Sequence, residues 1–249
     1  MTMRTWISNA KAAVTERVNR WALACGLLVC LQVQAAGVKV SPATQLADVD
    51  LVDVAALIPD AQLEIRYAGS HNFVGAPVDG YQAPKCYLLR PVAEALAQVA
   101  NDVREQGYRL RLFDCYRPVR AVQHFVRWAH DLKDQRNKAE FYPNLDKSVL
   151  LDGYIAETSG HSRGATLDLS LDHCQADVCQ AVEMGTGFDR FDTLANTDDP
   201  RISQAVREHR ELLRAAMQRR GFRNYPLEWW HYTFQPEPTP QTAYDIPVQ

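Results

Sequence analysis

Four side chains in two short stretches could together carry out metal-assisted hydrolysis. The run Ser159-Gly160-His161-Ser162-Arg163-Gly164-Ala165-Thr166-Leu167-Asp168 contributes His161 and Asp168, and Glu228-Trp229-Trp230-His231 contributes Glu228 and His231. A catalytic zinc takes three N/O protein ligands and keeps a fourth position for water. It also needs a carboxylate that does not bind the metal, to take the proton of that water. On this reading His161, Asp168 and His231 are the ligands and Glu228 is the base. Spacing alone is weak support, because His-x6-Asp arises often by chance and Glu-x-x-His occurs in many structural helices.

The elements around these residues suit the task. Gly160 and Gly164 flank His161, as a backbone turning tightly beside a site requires. From Ala165 to Leu171 the chain alternates, with Leu167, Leu169 and Leu171 on one face and Thr166, Asp168 and Ser170 on the other. Asp168 is therefore expected on the polar face of a strand whose leucines enter the core. Further strands are expected at Leu63–Tyr67, Tyr108–Phe113 and His231–Phe234, with a short strand or extended arm at Leu51–Val54. Pro91 opens a helix through Gln106 that Gly107 ends, and its apolar Val92, Leu96, Val99 and Val103 recur at helical spacing. Pro118 opens a second helix to Lys133, and an amphipathic helix covers 202–220. Residues 68–84 read as a long functional loop, 134–158 as polar loop with Phe141-Tyr142-Pro143 either lining a substrate mouth or packing the loop, and the tail from Pro236 as irregular. No repeats occur. The expected fold is one α+β domain, an antiparallel sheet with flanking helices and the metal site at one sheet edge.

The start of the chain differs in kind. Arg4, Lys11, Arg17 and Arg20 form a basic leader, followed by the apolar run Trp21 to Val33 and the small-residue pattern Val33-Gln34-Ala35-Ala36. The run is short for a membrane span, so residues 1–36 read as a secretory signal cleaved after Ala35 or Ala36. An uncleaved anchor is the alternative, and a lipoprotein site at Cys25 or Cys30 matches poorly. Without residues 1–35, 23 Lys and Arg face 29 Asp and Glu, a net charge of −6 that repels phosphate backbones. No nucleic-acid partner is expected, nor stable membrane association after cleavage. Export to the periplasm suits the four remaining cysteines, Cys86, Cys115, Cys174 and Cys179, as disulfide candidates. Four cysteines allow three pairings; Cys86 with Cys115 and Cys174 with Cys179 is the expected one, with buried free thiols as the alternative.

Beyond single residues, a series of ordered motifs resembles a known family. Ser159 to Asp168 and Glu228 to His231, together with Tyr67-Ala68, Asn72-Phe73, Asp114-Cys115-Tyr116-Arg117-Pro118, Ala121-Val122-Gln123, Lys138 to Pro143, Met184-Gly185 and Phe188-Asp189, resemble the zinc D-alanyl-D-alanine dipeptidases of the VanX type. That metallopeptidase family also holds D-alanyl-D-alanine carboxypeptidases and shares its fold with the hedgehog signalling domain. The resemblance spans Tyr67 to Phe234. It implies one zinc ion per chain and a small D,D-dipeptide as substrate. It also implies that Arg117, at a strand end, donates to the scissile carbonyl oxygen as that oxygen becomes an oxyanion. Asp189 is implied to hold the substrate's amino terminus, with Tyr67 beside it and Ser159 supplying a hydrogen bond near the substrate.

Two other functions remain open at this level. A D,D-carboxypeptidase or endopeptidase trimming peptidoglycan stem peptides would use the same zinc chemistry in an open groove. A non-catalytic zinc-stabilised binding module is the alternative of another class, disfavoured by the presence of both Glu228 and Arg117. The other five histidines, His71, His124, His130, His173 and His209, lack a ligand partner at useful spacing and read as structural or surface residues. Oligomeric state is not readable from the chain.

Overall fold

The longest strand, Thr166–Gln175, is apolar on one face and polar on the other, yet its first seven residues, Thr166 to Asp172, are all buried. Leu167, Leu169 and Leu171 are fully enclosed, and Thr166, Asp168, Ser170 and Asp172 on the opposite face are covered as well. Such a strand must lie at the centre of a sheet, with hydrophobic packing behind it and a polar cavity before it.

The computed structural model describes residues 37–176 and 178–249; the expected leader, with its cleavage site, anchor alternative and Cys25 and Cys30, lies outside the described residues. In chain order the strands are β1 (Lys39–Val40), β2 (Leu51–Asp53), β3 (Gln62–Leu63), β4 (Tyr87–Leu89), β5 (Tyr108–Asp114), β6 (Thr166–Gln175), β7 (Val178–Ala181), β8 (Phe222–Asn224), β9 (His231–Phe234) and β10 (Thr242–Ala243). The α-helices are α1 (Arg90–Arg104), α2 (Val119–His130), the single turn α3 (Lys138–Phe141) and α4 (Gln204–Arg219).

Six strands form the main sheet in the order β3-β5-β6-β9-β8, with β7 hairpinned onto the far end of β6. All its pairings are antiparallel except that of the edge strand β3, which runs parallel to β5. Helix α1 buries Val92, Leu96, Val99 and Val103, and α4 buries Leu213, Ala216 and Met217, in one continuous core with the β6 leucines. The fold is thus α+β, as expected. Among the described residues no helix is long and apolar enough to cross a membrane.

Several elements depart from expectation for physical reasons. The strand expected at Leu63–Tyr67 ends at Leu63, and a 3-10 turn over Arg66–Ala68 delivers Tyr67 into the core at 1% exposure. Of the two readings of Phe141 and Tyr142, packing prevails over the substrate mouth: both are buried, with Tyr142 set edge-on to Trp128. Residues 134–158 are not all loop: α3 and a 3-10 helix, Lys147–Asp152, interrupt them. The tail is mostly irregular but firmly packed. Ile246 and Val248 are fully buried, and Tyr116 Oη both donates to Ile246 O and accepts from Ile246 N. Disulfides join Cys86 to Cys115 and Cys174 to Cys179, the second bridging a cross-strand pair in the β6–β7 hairpin.

Because β6 carries the core on one face and the site on the other, it cannot relax away from a cavity. Leu169→Ala is expected to cost about 2–5 kcal/mol, measured by urea unfolding of the purified protein.

Candidate metal centre and active site

Three adjacent inner strands, rather than the sheet edge where the site was expected, bring three carboxylate or imidazole groups to one level. Asp168 of β6 pairs with His231 of β9 on one side and with Asp114 of β5 on the other. A register shift between Leu112 and Asp114 bends the end of β5 here, as irregularities beside sites often do. His161 arrives from a separate 3-10 turn, Gly160–Arg163, capped at its start by Ser159, whose hydroxyl accepts from His161 N at 3.2 Å. The turn closes at Gly164 with φ of 72°, a left-handed conformation that a side chain would strain, and a Cβ there would also crowd Leu51 and Leu89. Glu228 lies in the connection between β8 and β9, where Asn224 Nδ2 donates to both Glu228 O and His231 O at 3.0 Å.

His161, Asp168 and His231 form a tight triangle. His161 Nε2 lies 3.3 Å from His231 Nδ1 and 3.3 Å from Asp168 Oδ2, and His231 Nδ1 lies 3.0 Å from Asp168 Oδ1. Ligands held about 2.1 Å from a tetrahedral zinc stand roughly 3.4 Å apart, so the triangle has the size of such an ion's face. His161 Nδ1 donates to Cys115 O at 2.8 Å, which leaves Nε2 as the lone-pair nitrogen turned to the centre. Asp168 Oδ1 is fully buried with His231 Nδ1 as its near neighbour and accepts no well-aligned hydrogen bond, a costly state that a cation would relieve. The three residues together could hold a metal ion.

A cavity of about 250 Å³ opens over this triangle. Glu228 reaches it with Oε2 3.5 Å from His231 Nδ1, and burial pushes its carboxyl up from the ordinary value. Arg117 enters from the segment after β5, locked from below by Asp114, whose Oδ2 accepts from Arg117 Nε at 2.9 Å. Tyr81 Oη donates to the other Asp114 oxygen at 2.5 Å. The Arg117 guanidinium lies 5.1 Å from both the Tyr67 and Phe125 ring centres, and its Nη2 stands 3.6 Å from Asp168 Oδ2. Asp189 faces the same cavity from a backbone with φ of 61°, a strained setting for a non-glycine residue. Tyr67 Oη donates to its Oδ2 at 2.7 Å, and burial holds the Asp189 carboxyl well above the usual range. At Asp168 burial also acts upward, but the two imidazoles outweigh it and hold the carboxyl below the usual range.

A family model described as D-ala-D-ala dipeptidase matches residues 47–249. The chain belongs to this family of peptidases. It is 40% identical over 200 residues to the D-alanyl-D-alanine dipeptidase of Streptomyces coelicolor, covering 80% of this chain and 98% of that protein. The D-alanyl-D-alanine dipeptidase of Enterococcus faecium is 37% identical over 78% of this chain and 95% of its own. The Escherichia coli protein of the same name is 30% identical over 74% of this chain and 83% of its own.

The structure of this family member brings His161, Asp168, His231, Glu228, Arg117, Asp189, Tyr67 and Ser159 to one cavity. Ser159 both lines it and caps the His161 turn. Other groups had no expected role. Asp114 stood within a quoted motif, three residues before Arg117, but nothing marked it as the anchor of that arginine. Tyr81, Phe73, Tyr154, Phe191 and Tyr225 come from loops whose meeting is invisible in linear order. Of the remaining histidines, His71 pairs with Glu140 and His124 with Asp79 on the surface.

Calorimetric titration of metal-stripped protein with zinc is expected to give one ion per chain. His161→Ala and Asp168→Ala should each abolish that uptake while the far-ultraviolet circular dichroism spectrum is retained.

Proposed function

We propose that this protein hydrolyses D-alanyl-D-alanine to two D-alanines, using one zinc ion held by His161, Asp168 and His231, after export to the periplasm. The observation that carries the reading is the shared cavity. A candidate metal triangle, a half-buried carboxylate base, a half-buried guanidinium and a buried amine-binding carboxylate all face about 250 Å³ of space. That volume lies below the roughly 300–1,000 Å³ typical of pockets for drug-sized ligands, as suits a dipeptide. Family membership and the names of the relatives point the same way.

The residues divide the work by chemistry. Bound zinc would acidify its water and polarise the scissile carbonyl. Glu228, close to His231 but not part of the ligand triangle, takes the proton of the attacking water and passes it to the leaving amine. Its burial favours proton affinity, which suits a group that must accept and then donate. Arg117, held rigid by Asp114 and two rings, donates to the oxygen that becomes negative. Asp189, oriented by Tyr67, pairs with the substrate ammonium. A longer peptide would present an amide there, leaving the buried carboxylate without its cation.

Export is supported by the basic and apolar leader and by two disulfides, which persist in oxidising compartments. A D-alanyl-D-alanine dipeptidase outside the cytoplasm would recover D-alanine from wall turnover.

Incubating zinc-loaded protein with D-alanyl-D-alanine, and separately with a stem pentapeptide ending in D-alanyl-D-alanine, tests the substrate. D-alanine is expected from the dipeptide alone; release from the pentapeptide would move the enzyme to wall trimming and remove Asp189 from amine binding. Glu228→Gln should lower kcat by about 100- to 10,000-fold, and Arg117→Ala by about 100- to 1,000-fold. Amino-terminal sequencing of protein recovered from the periplasm should begin after Ala35 or Ala36. An intact Met1 on cytoplasmic protein would overturn export.

A further inference from the structure

The loop that presents Asp189 has no regular structure across residues 184–192, yet its backbone is held in a strained conformation at Asp189 itself. Something must hold it. Arg210, on the buried face of α4, is 2% exposed, and among the described residues no carboxylate lies within 4.0 Å of its guanidinium. Its hydrogens go to backbone carbonyls. Nε and Nη2 donate to Met184 O at 2.8 and 2.6 Å, Nη2 also to Leu194 O at 3.1 Å, and Nη1 to Asn196 O at 2.7 Å. These acceptors lie five residues before Asp189 and five and seven after it, so one side chain grips both ends of the loop.

Two further features fit the grip. Gly185, at φ of 83°, lies against it, and a Cβ there would meet Val206 Cγ1 at 3.0 Å and Arg210 Nη2 at 3.2 Å. Trp229, next to the base Glu228, donates from Nε1 to Thr186 Oγ1 at 2.8 Å and from its backbone to Ala195 O at 3.0 Å. Burial lowers the Arg210 guanidinium to about 10, which still leaves it protonated at neutral pH. A buried cation whose hydrogen bonds all go to neutral carbonyls, with Asp199, Asp198 and Glu183 acting on it only at longer range, is a costly device, and a five-donor planar fork is the group that can span so many acceptors.

We propose that Arg210 is a positioning residue for substrate amine recognition: by clamping Met184, Leu194 and Asn196 it fixes the loop so that Asp189 projects into the cavity. This rests on the dipeptidase reading above, with Asp189 as the partner of the ammonium.

The test is steady-state kinetics on D-alanyl-D-alanine with the zinc-loaded full-length enzyme, wild type beside Arg210→Lys and Gly185→Ala. Lysine keeps the charge but cannot span the acceptors, and alanine at 185 presses the loop off the guanidinium. Each variant is expected to raise KM about tenfold or more while kcat stays within about threefold. In an Asp189→Asn background, Arg210→Lys should raise KM no further, because the two act through one contact. Zinc stoichiometry should stay at one. Unchanged KM in both variants, or an equal fall of kcat in both backgrounds, would overturn the proposal and leave Arg210 a general stabiliser. Should Arg210→Lys not fold, the Gly185→Ala result decides alone. Wild type that fails to cleave the dipeptide would instead remove the dipeptidase reading, and this inference with it.

Discussion

The site is short of positive charge, and the rest of the structure is arranged around that shortage. Asp114, Asp168, Asp189 and Glu228 converge on one small region, and Arg117 is the permanent cation among them. Burying carboxylates without partners is expensive, so such a cluster persists only if cations arrive or protons do. Burial accordingly lifts Asp114, Asp189 and Glu228 toward the protonated form, while Asp168, against two imidazoles, is the carboxylate that stays low. A divalent ion at the histidine–aspartate triangle and an ammonium at Asp189 would together supply the three positive charges that four carboxylates and one guanidinium lack. The protein has thus concentrated its unfavourable electrostatics where a metal and a substrate amine would relieve them.

Holding that charge in place takes a rigid frame. The main sheet supplies it by placing Asp114, Asp168 and His231 side by side on β5, β6 and β9. The Cys86–Cys115 disulfide anchors the end of β5 to β4, immediately before Arg117. The packed tail then braces the same region from outside. Tyr244 N donates to Ser162 O within the His161 turn, Val119 N donates to Tyr244 O, and Arg120 forks onto Asp245. Two loops that must meet at the metal triangle are thereby tied to one strap.

What the sequence revealed and what it hid follow from the range of the interactions. His161 and Asp168 were legible because a glycine-flanked turn and an alternating strand are local patterns, and Glu228 and His231 because three residues of spacing suffice to bring them together. Pro91, Gly107 and Pro118 bounded helices to within a few residues for the same reason. Tyr67 was expected in a strand, but its contact is with Asp189, 122 residues away, and that pairing favours a tight turn over extended backbone. Nothing marks Arg210 within the amphipathic helix expected over 202–220; only the folded loop shows that it faces inward. Aromatic residues were the least legible, since Phe141 and Phe191 look alike in sequence and both join the core, yet tertiary packing brings only Phe191 to the cavity wall as well.

The division between frame and loops also bears on specificity. The metal triangle and Arg117 come from strand ends and from turns tied to them, whereas the groups that would measure substrate length, Asp189, Phe191, Tyr154 and Tyr225, all sit on loops. Loops tolerate substitution and insertion better than a strand buried on both faces, so a fold of this kind can keep its hydrolytic chemistry while the size of its substrate changes. On that view, the features separating a dipeptide cavity from an open groove are the covering of Asp189 and the strain at its backbone, rather than any difference at the metal. A strained loop relaxes unless it is clamped, and a groove with no ammonium to bind would have no use for the clamp. If Asp189 binds the substrate ammonium, Arg210, a buried cation whose hydrogen bonds go to carbonyls far from the reacting atoms, would serve the recognition of a free amino terminus.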